Sequence, residues 1–295
     1  MNEHTKRLNL LDLPAGQWRD AAAAAGLEPY RGDQLATWVF RQGVFDFAAM
    51  TNLPAPMRDR MSQLFVVQPP TIEQRFVSAD HSRRYLLRVA SDELVEAVYM
   101  PNDSRATLCI SSQVGCRFAC TFCQTGRLKL QRSLSPGEIV GQVLRMLADV
   151  DTPPTRTNVV FMGQGEPLDN VAAVIAAVTS LQDDRGPAWS WRRITVSTVG
   201  LVPEIRELMA LGARRPRLAI SLNATTDAVR SEIMPINRKY PIEELLSVLR
   251  DIVWRRREKV TFEYVLLQGI NDSPGDARRL GRLVRGLPAK VNLIP

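Results

Sequence analysis

The chain is poor in cysteine and in long apolar runs, and each scarcity excludes something. No apolar run approaches the roughly 20 residues that span a bilayer, so no membrane-crossing helix is expected. The start, Met1-Asn-Glu-His-Thr-Lys-Arg7, has no apolar segment behind its charges and is not a secretory signal. Only four cysteines occur in 295 residues. Without a signal they belong to a reducing compartment, where thiols stay free and disulfides are not expected. A soluble cytoplasmic protein follows as the expectation. What the chain does have is apolar bulk: 45% hydrophobic residues, enough for one large domain and a small appendage.

Positive charge is in excess. Lys and Arg number 38 against 31 acidic residues, a formal +7, the balance expected of a protein that approaches phosphates. Basic clusters fall at Arg83, Arg84 and Arg88, at Arg127, Lys129 and Arg132, at Arg214, Arg215 and Arg217, and at Arg255 to Arg257. The plain alternative for each is a solvated face. The group beside the cysteines differs, because a basic rim at a reaction centre orients a polyanion.

Three of the four cysteines, Cys116, Cys120 and Cys123, sit in Gly-Cys-Arg-Phe-Ala-Cys-Thr-Phe-Cys, a C-x3-C-x2-C triplet. Iron–sulfur clusters usually take four thiolates. Three leave one iron of a cubane open to a small molecule, and this spacing resembles that of radical S-adenosylmethionine (SAM) enzymes. A structural zinc site with Cys109 as fourth ligand is the alternative, although such sites typically pair two ligands from each of two turns.

The first 68 residues read as helical: Asp20 to Ala25 ending at Gly26, Gln34 to Arg41 with Trp38 and Phe40 as core, and a helix after Pro54 through Met61 and Leu64. Residues 69–102 read as a β-hairpin extension, Arg84–Val89 and Leu94–Met100 joined by Ala90–Glu93. From 103 to 295 strands alternate with helices. The strands are expected at 106–110, 158–162, 193–197, 217–222, 259–267 and 290–294. The helices are expected at 136–148, 170–181, 202–211, 241–253 and 273–284. Such alternation implies βαβ units and a parallel sheet, an α/β partial (β/α)6 barrel with chemistry at the strand C-terminal ends. Phe161-Met-Gly-Gln-Gly-Glu-Pro167 follows the second strand, Ser197 ends the third and Ser221-Leu222-Asn223 ends the fourth. Taken alone, each is an ordinary polar strand end.

Together, Arg105 through Cys116, the triplet, Phe161–Asn170, Ile194–Pro203, Leu218–Asn237 and Lys290–Pro295 resemble, in matching order, the radical-SAM RNA adenine methyltransferases of the RlmN/Cfr family. The resemblance implies a 4Fe-4S cluster on Cys116, Cys120 and Cys123. It implies SAM bound by Gly165, Glu166, Ser197, Ser221, Leu222 and Asn223. Glu96 becomes the general base and Cys109 the thiol that resolves a protein–RNA intermediate; their plain alternatives are a hairpin carboxylate and a buried strand thiol. In the family one SAM methylates a protein cysteine and a second supplies the radical that activates that methyl group. The implied activity is methylation at C2 of an adenine in 23S rRNA and in tRNA, the base being unstacked into the pocket. Modification at C8 is the alternative within the family. A cytoplasmic monomer with a flavodoxin-like electron donor is implied as well.

One departure stands out. The family's methyl-carrying cysteine, and a further asparagine that contacts SAM, lie beyond the strand equivalent to Val291–Pro295. The expectation is a fragment of a longer protein; the alternative is a natural short form that cleaves SAM without methylating RNA. Outside enzymes, the competing reading is an RNA-binding protein with a four-cysteine zinc site.

Overall fold

In the computed structural model, which describes residues 7–295, the alanine-rich stretch forms helix α1 (Trp18–Ala24). The charged start, Met1–Lys6, lies outside the described residues. Gly26, at φ +70°, ends α1. Its N–H donates to the Ala23 carbonyl while Leu27 donates to Ala22, the paired bonds of a glycine-terminated helix. Helix α2 (Tyr30–Ala36) starts earlier than its spacing predicts and passes into a π-helical turn over Thr37–Arg41. Trp38 and Phe40 are half-buried on that turn rather than core, and Trp38 Nε1 donates to Asn52 Oδ1 at 2.6 Å. The buried tryptophan is Trp18, and Phe40 packs against it with ring centroids 5.3 Å apart. Helix α3 (Ala55–Leu64) follows Pro54 as expected.

Contacts divide the chain into two compact units. The first holds the chain through Ile110 with Leu134–Val159 and Ala172–Ser190; the second holds Ser111–Ser133, Val160–Val171 and Trp191–Pro295. In the first unit, β1 (Thr71–Val77), β2 (Arg83–Arg88), β3 (Leu94–Asn102) and β4 (Arg105–Cys109) pair antiparallel in that order. The hairpin of β2 and β3 is where the sequence predicts it. β1 escapes prediction because six of its seven residues are exposed, leaving no apolar alternation to detect. Tyr85, Leu87, Val95, Ala97, Tyr99, Ala106 and Leu108 bury one face. Arg84, Glu96, Val98 and Cys109 share the other. Helix α4 (Pro136–Ala148) opens on a capping box: Ser135 accepts from the Glu138 N–H, and the Glu138 carboxylate accepts from the Ser135 N–H. Helix α5 (Val171–Gln182) matches its predicted span to within a residue at each end.

β5 (Arg156–Phe161) leads into the second unit, where β6 (Ile194–Thr198), β7 (Arg217–Ser221), β8 (Val260–Val265) and β9 (Ala289–Ile294) run parallel in that order. Between them lie α6 (Val202–Met209), α7 (Asp227–Ile233), α8 (Ile242–Asp251) and α9 (Pro274–Leu283). Four of these strands and three of these helices match expectation within a few residues. Helix α7 does not appear in the periodicity, because seven residues make too short a repeat. Its signal is local: Thr226 caps it by accepting from the Val229 N–H. The parallel register aligns the carboxyl ends, Ser221 opposite Glu263 and Glu263 opposite Asn292, so the residues that end each strand gather on one rim. Among the described residues no helix is long and apolar enough to cross a membrane.

Candidate active site

The cysteine loop is tied down by backbone bonds. Cys116 N–H donates to Leu128, Cys123 N–H to Cys120, and Thr121 N–H to the Ile233 carbonyl at the end of α7. Cys120, only 9% exposed, packs on Ala224, Ile233 and Met234 with Phe118 and Phe122 around it. A Cβ at Gly126 would lie 2.7 Å from the Cys120 carbonyl oxygen, so the loop closes only with glycine there. Burial pushes the Cys116 thiol up, and burial followed by the neighbouring thiols pushes Cys120 up to about 12. Left to themselves these are neutral thiols, and bound cations are what hold such groups as thiolates. Among the described residues no three His, Cys, Asp or Glu side chains converge as ligands of a single ion. A cubane asks for something else, one thiolate for each of three irons. The donor set fits a cluster of that kind.

All three cysteines line a cavity of about 230 Å³ within the second unit, together with Gly165, Glu166, Ser197, Ser221 and Asn223. Gly165 adopts φ +94°, and a Cβ there would sit 2.5 Å from the Gln113 Cβ, so only glycine admits this close approach. Gln113 then organises the loop: its Oε1 accepts from the Glu166 N–H at 2.9 Å, and its Nε2 donates to Asp169 at 2.8 Å and to Ser133 at 3.2 Å. Asp169 also pairs with Arg117, inside the cysteine loop, at 2.9 Å. The glycine-rich turn after β5 and the cysteine loop are therefore one hydrogen-bonded assembly.

Glu166 is 3% exposed, and burial pushes its carboxyl up to about 7. The Thr198 hydroxyl and the Val199 and Leu168 N–H groups bond to it and pull the other way. Oε1 accepts from Leu168 at 3.0 Å and Oε2 from Val199 at 2.9 Å, so the carboxylate pins the end of β6 to the turn after β5. Asn223 takes φ +54°, a left-handed conformation that asparagine tolerates. Its Oδ1 accepts from the Val265 N–H at 2.9 Å, locking the ends of β7 and β8 together. Leu222 does not line the cavity. It is fully buried, and its N–H donates to the Glu263 carbonyl.

Sequence reasoning passed over Arg230. This side chain is 0% exposed and reaches Val199, Ser221 and Leu222 carbonyls at 2.7, 3.1 and 3.0 Å and Asn237 Oδ1 at 2.9 Å. Burial lowers it to about 10, with Cys120 and Asp227 opposing, so it stays cationic at neutral pH behind the strand ends that line the cavity. Its only signal was its place behind the cap Thr226. In the Arg214, Arg215 and Arg217 cluster, for which a solvated face was the plain reading, Arg215 is instead buried and forked onto Glu258 at 3.2 and 2.6 Å.

Glu96 and Cys109 lie in the first unit, on adjacent strands. Val98 opposes Cys109 and Leu86 opposes Glu96, so the carboxylate and the thiol share one sheet face as diagonal neighbours. Arg84 Nη1 lies 3.3 Å from Glu96 Oε1.

The family model described as the Radical SAM superfamily matches residues 110–280. A second, the ribosomal RNA large subunit methyltransferase N-terminal domain, matches 8–67. A dual-specificity RNA methyltransferase RlmN of Anaeromyxobacter dehalogenans is 45% identical over 301 residues, covering 99% of this chain and 80% of its own. The chain belongs to the RlmN family of radical-SAM proteins. The Paracoccus denitrificans RlmN, 46% identical, covers 97% of this chain and 77% of its own. A radical SAM methyltransferase from Sphaerobacter thermophilus superposes with a TM-score of 0.91 at 40% identity, over 98% of this chain and 85% of that one. The fold is thus the α/β radical-SAM barrel preceded by the family's N-terminal helices, and the superfamily's cofactors are SAM and an iron–sulfur cluster.

Proposed function

We propose that the protein is an RNA methyltransferase that places a methyl group on C2 of a specific adenine in 23S rRNA and in tRNA. In this reading Cys116, Cys120 and Cys123 hold a 4Fe-4S cluster. The observation that carries it is the convergence of the three thiols with Gly165, Glu166, Ser197, Ser221 and Asn223 on one cavity. The reading is supported by relatives near 45% identity that are named dual-specificity RNA methyltransferases.

The bound cluster and SAM supply one-electron chemistry, which adenine C2 needs because it is an unreactive, electron-poor aromatic carbon. The chain's own residues do the rest. Gly165, lacking a Cβ, opens the backbone to SAM, and Glu166, held by two N–H groups, offers its remaining lone pairs to an ammonium. Ser197, Ser221 and Asn223 bond the rest of SAM, with Leu222 acting through the buried turn it anchors. Glu96 removes the C2 proton from the adduct in which the methylene joins C2 to the methyl-carrying cysteine, and the Cys109 thiolate attacks that cysteine's sulfur, so that a disulfide forms as the C–S bond to the RNA breaks. A flavodoxin-like electron donor, a monomeric state and a cytoplasmic site belong to the same reading.

The test is anaerobic purification with iron and sulfide analysis, a SAM-cleavage assay, and mass spectrometry of nucleosides from RNA treated with the full gene product. Expected are a brown protein absorbing near roughly 400 nm, as iron–sulfur clusters do, and 2-methyladenosine in both RNAs. 8-Methyladenosine would move the site of attack, and a colourless zinc protein would overturn the reading. Cys120→Ala is expected to lose cluster and SAM cleavage together; retention of both would remove the cysteine assignment.

A further inference from the structure

The face of the first unit's sheet that carries Glu96 and Cys109 continues outward to an exposed aromatic. Phe76 opposes Arg84, Arg84 opposes Val98, and Val98 opposes Cys109. These four residues form a single cross-strand row over β1 to β4, with Glu96 on its flank. At about 4.8 Å per strand the row spans about 14 Å from Phe76 to Cys109. Phe76 is 41% exposed, and the Arg84 guanidinium lies 4.7 Å from its ring centroid. An exposed apolar ring near the end of an edge strand is a liability for aggregation, and the fold gains no core from it.

We propose that Phe76 and Arg84 form a stacking platform for an unpaired RNA nucleotide about two positions from the target adenine. The proposal rests on the RNA-methyltransferase reading, and on Glu96 and Cys109 marking where the target base is held. Its chemistry is specific. Unstacked bases bind proteins by stacking on aromatic rings and on guanidinium planes, often across a β-sheet face. A ring with a guanidinium over it presents both surfaces together with a positive charge for the phosphate. Arg84 is also cheap to recruit, because its pairing with Glu96 is solvent-exposed at both ends, and such pairs contribute little. With the chain at +7, the charge is complementary to RNA. An extended strand entering along the row would deliver one nucleotide to Cys109 and lay the nucleotide about two positions away on Phe76.

The probe is an RNA hairpin containing the target adenine, with 2-aminopurine two positions away on either side, titrated with the full protein. Wild type is expected to bind and to quench 2-aminopurine by stacking. Phe76→Ala should bind about 5- to 100-fold more weakly and lose the quench, and Phe76→Trp should restore both. Arg84→Ala should reduce the salt slope of binding by about 0.7, whereas Arg84→Lys should keep the slope without the planar contact. Unchanged melting temperatures establish that the variants fold, and Phe76→Trp serves where Phe76→Ala does not. Wild-type binding and quenching in Phe76→Ala overturn the platform alone. So does a Phe76→Ala protein that binds RNA normally but is reduced slowly by its electron donor, since that surface would then dock a protein. If wild type neither binds nor methylates the hairpin, the RNA-methyltransferase reading itself has failed.

Discussion

Glu166 is a carboxyl whose two oxygens hold two backbone segments while burial favours its protonated form. With a folded-state value near 7 against 4.5 when free, the folded chain keeps a proton that the unfolded chain has released over that interval. Stability contributed by this group is therefore full below about pH 4.5, falls as pH rises toward 7, and is level above. Glu166→Gln should remove that fall, a difference on the order of 3 kcal/mol; urea unfolding of both proteins across the interval measures it, and parallel curves would refute it. Arg230 makes the opposite case, a buried cation whose donors all go to neutral oxygens. Arg230→Met leaves those acceptors buried and unpaired, at about 1–3 kcal/mol each for the groups that water cannot reach. Chemical denaturation is expected to show a loss of about 3 kcal/mol or more. A near-neutral result would mean that the strand ends relax.

At the scale of elements, the buried Glu138 does more than close its capping box. Its Oε2 takes the Ser135 N–H at 2.8 Å and its Oε1 the Ala90 N–H at 2.9 Å, joining α4 to the turn between β2 and β3. Ser135→Ala should cost about 1 kcal/mol. Glu138→Ala should cost more, about 2–4 kcal/mol, because two N–H groups lose their acceptor; thermal melts that rank the two the other way would refute this. The sequence pattern marks the helix and not its capping box, and α4 spans the residues expected of it. Longer helices and buried strands were legible for the same reason: each repeats its apolar period several times. β1, α7 and the π turn were not, since one is exposed on both faces, one is two turns long, and one is a shift of register that periodicity averages away.

At the scale of the whole molecule, the cluster proposed for the cysteine loop would add to the stability of the fold. Burial pushes the Cys116 and Cys120 thiols up in the protein alone, and binding to the folded state alone stabilises it by mass action. Removing iron from anaerobically prepared protein with a chelator should lower the melting temperature by on the order of 10 °C. An unchanged melt, with iron loss verified, would show that the loop is equally well formed without a cluster.

Three cysteines at fixed spacing, in one short loop, pointed to iron–sulfur chemistry without any fold, because ligand number and separation are local properties of the chain. The order of strands and helices was equally legible, written in the period of apolar residues. Tertiary structure alone decided that Gln113 bolts the glycine-rich turn to the cysteine loop, that Arg230 stands behind the strand ends, and that Phe76, Arg84, Val98 and Cys109 fall in one row. Each depends on register between segments distant in sequence, and register is set by packing across strands, which no single stretch of chain contains.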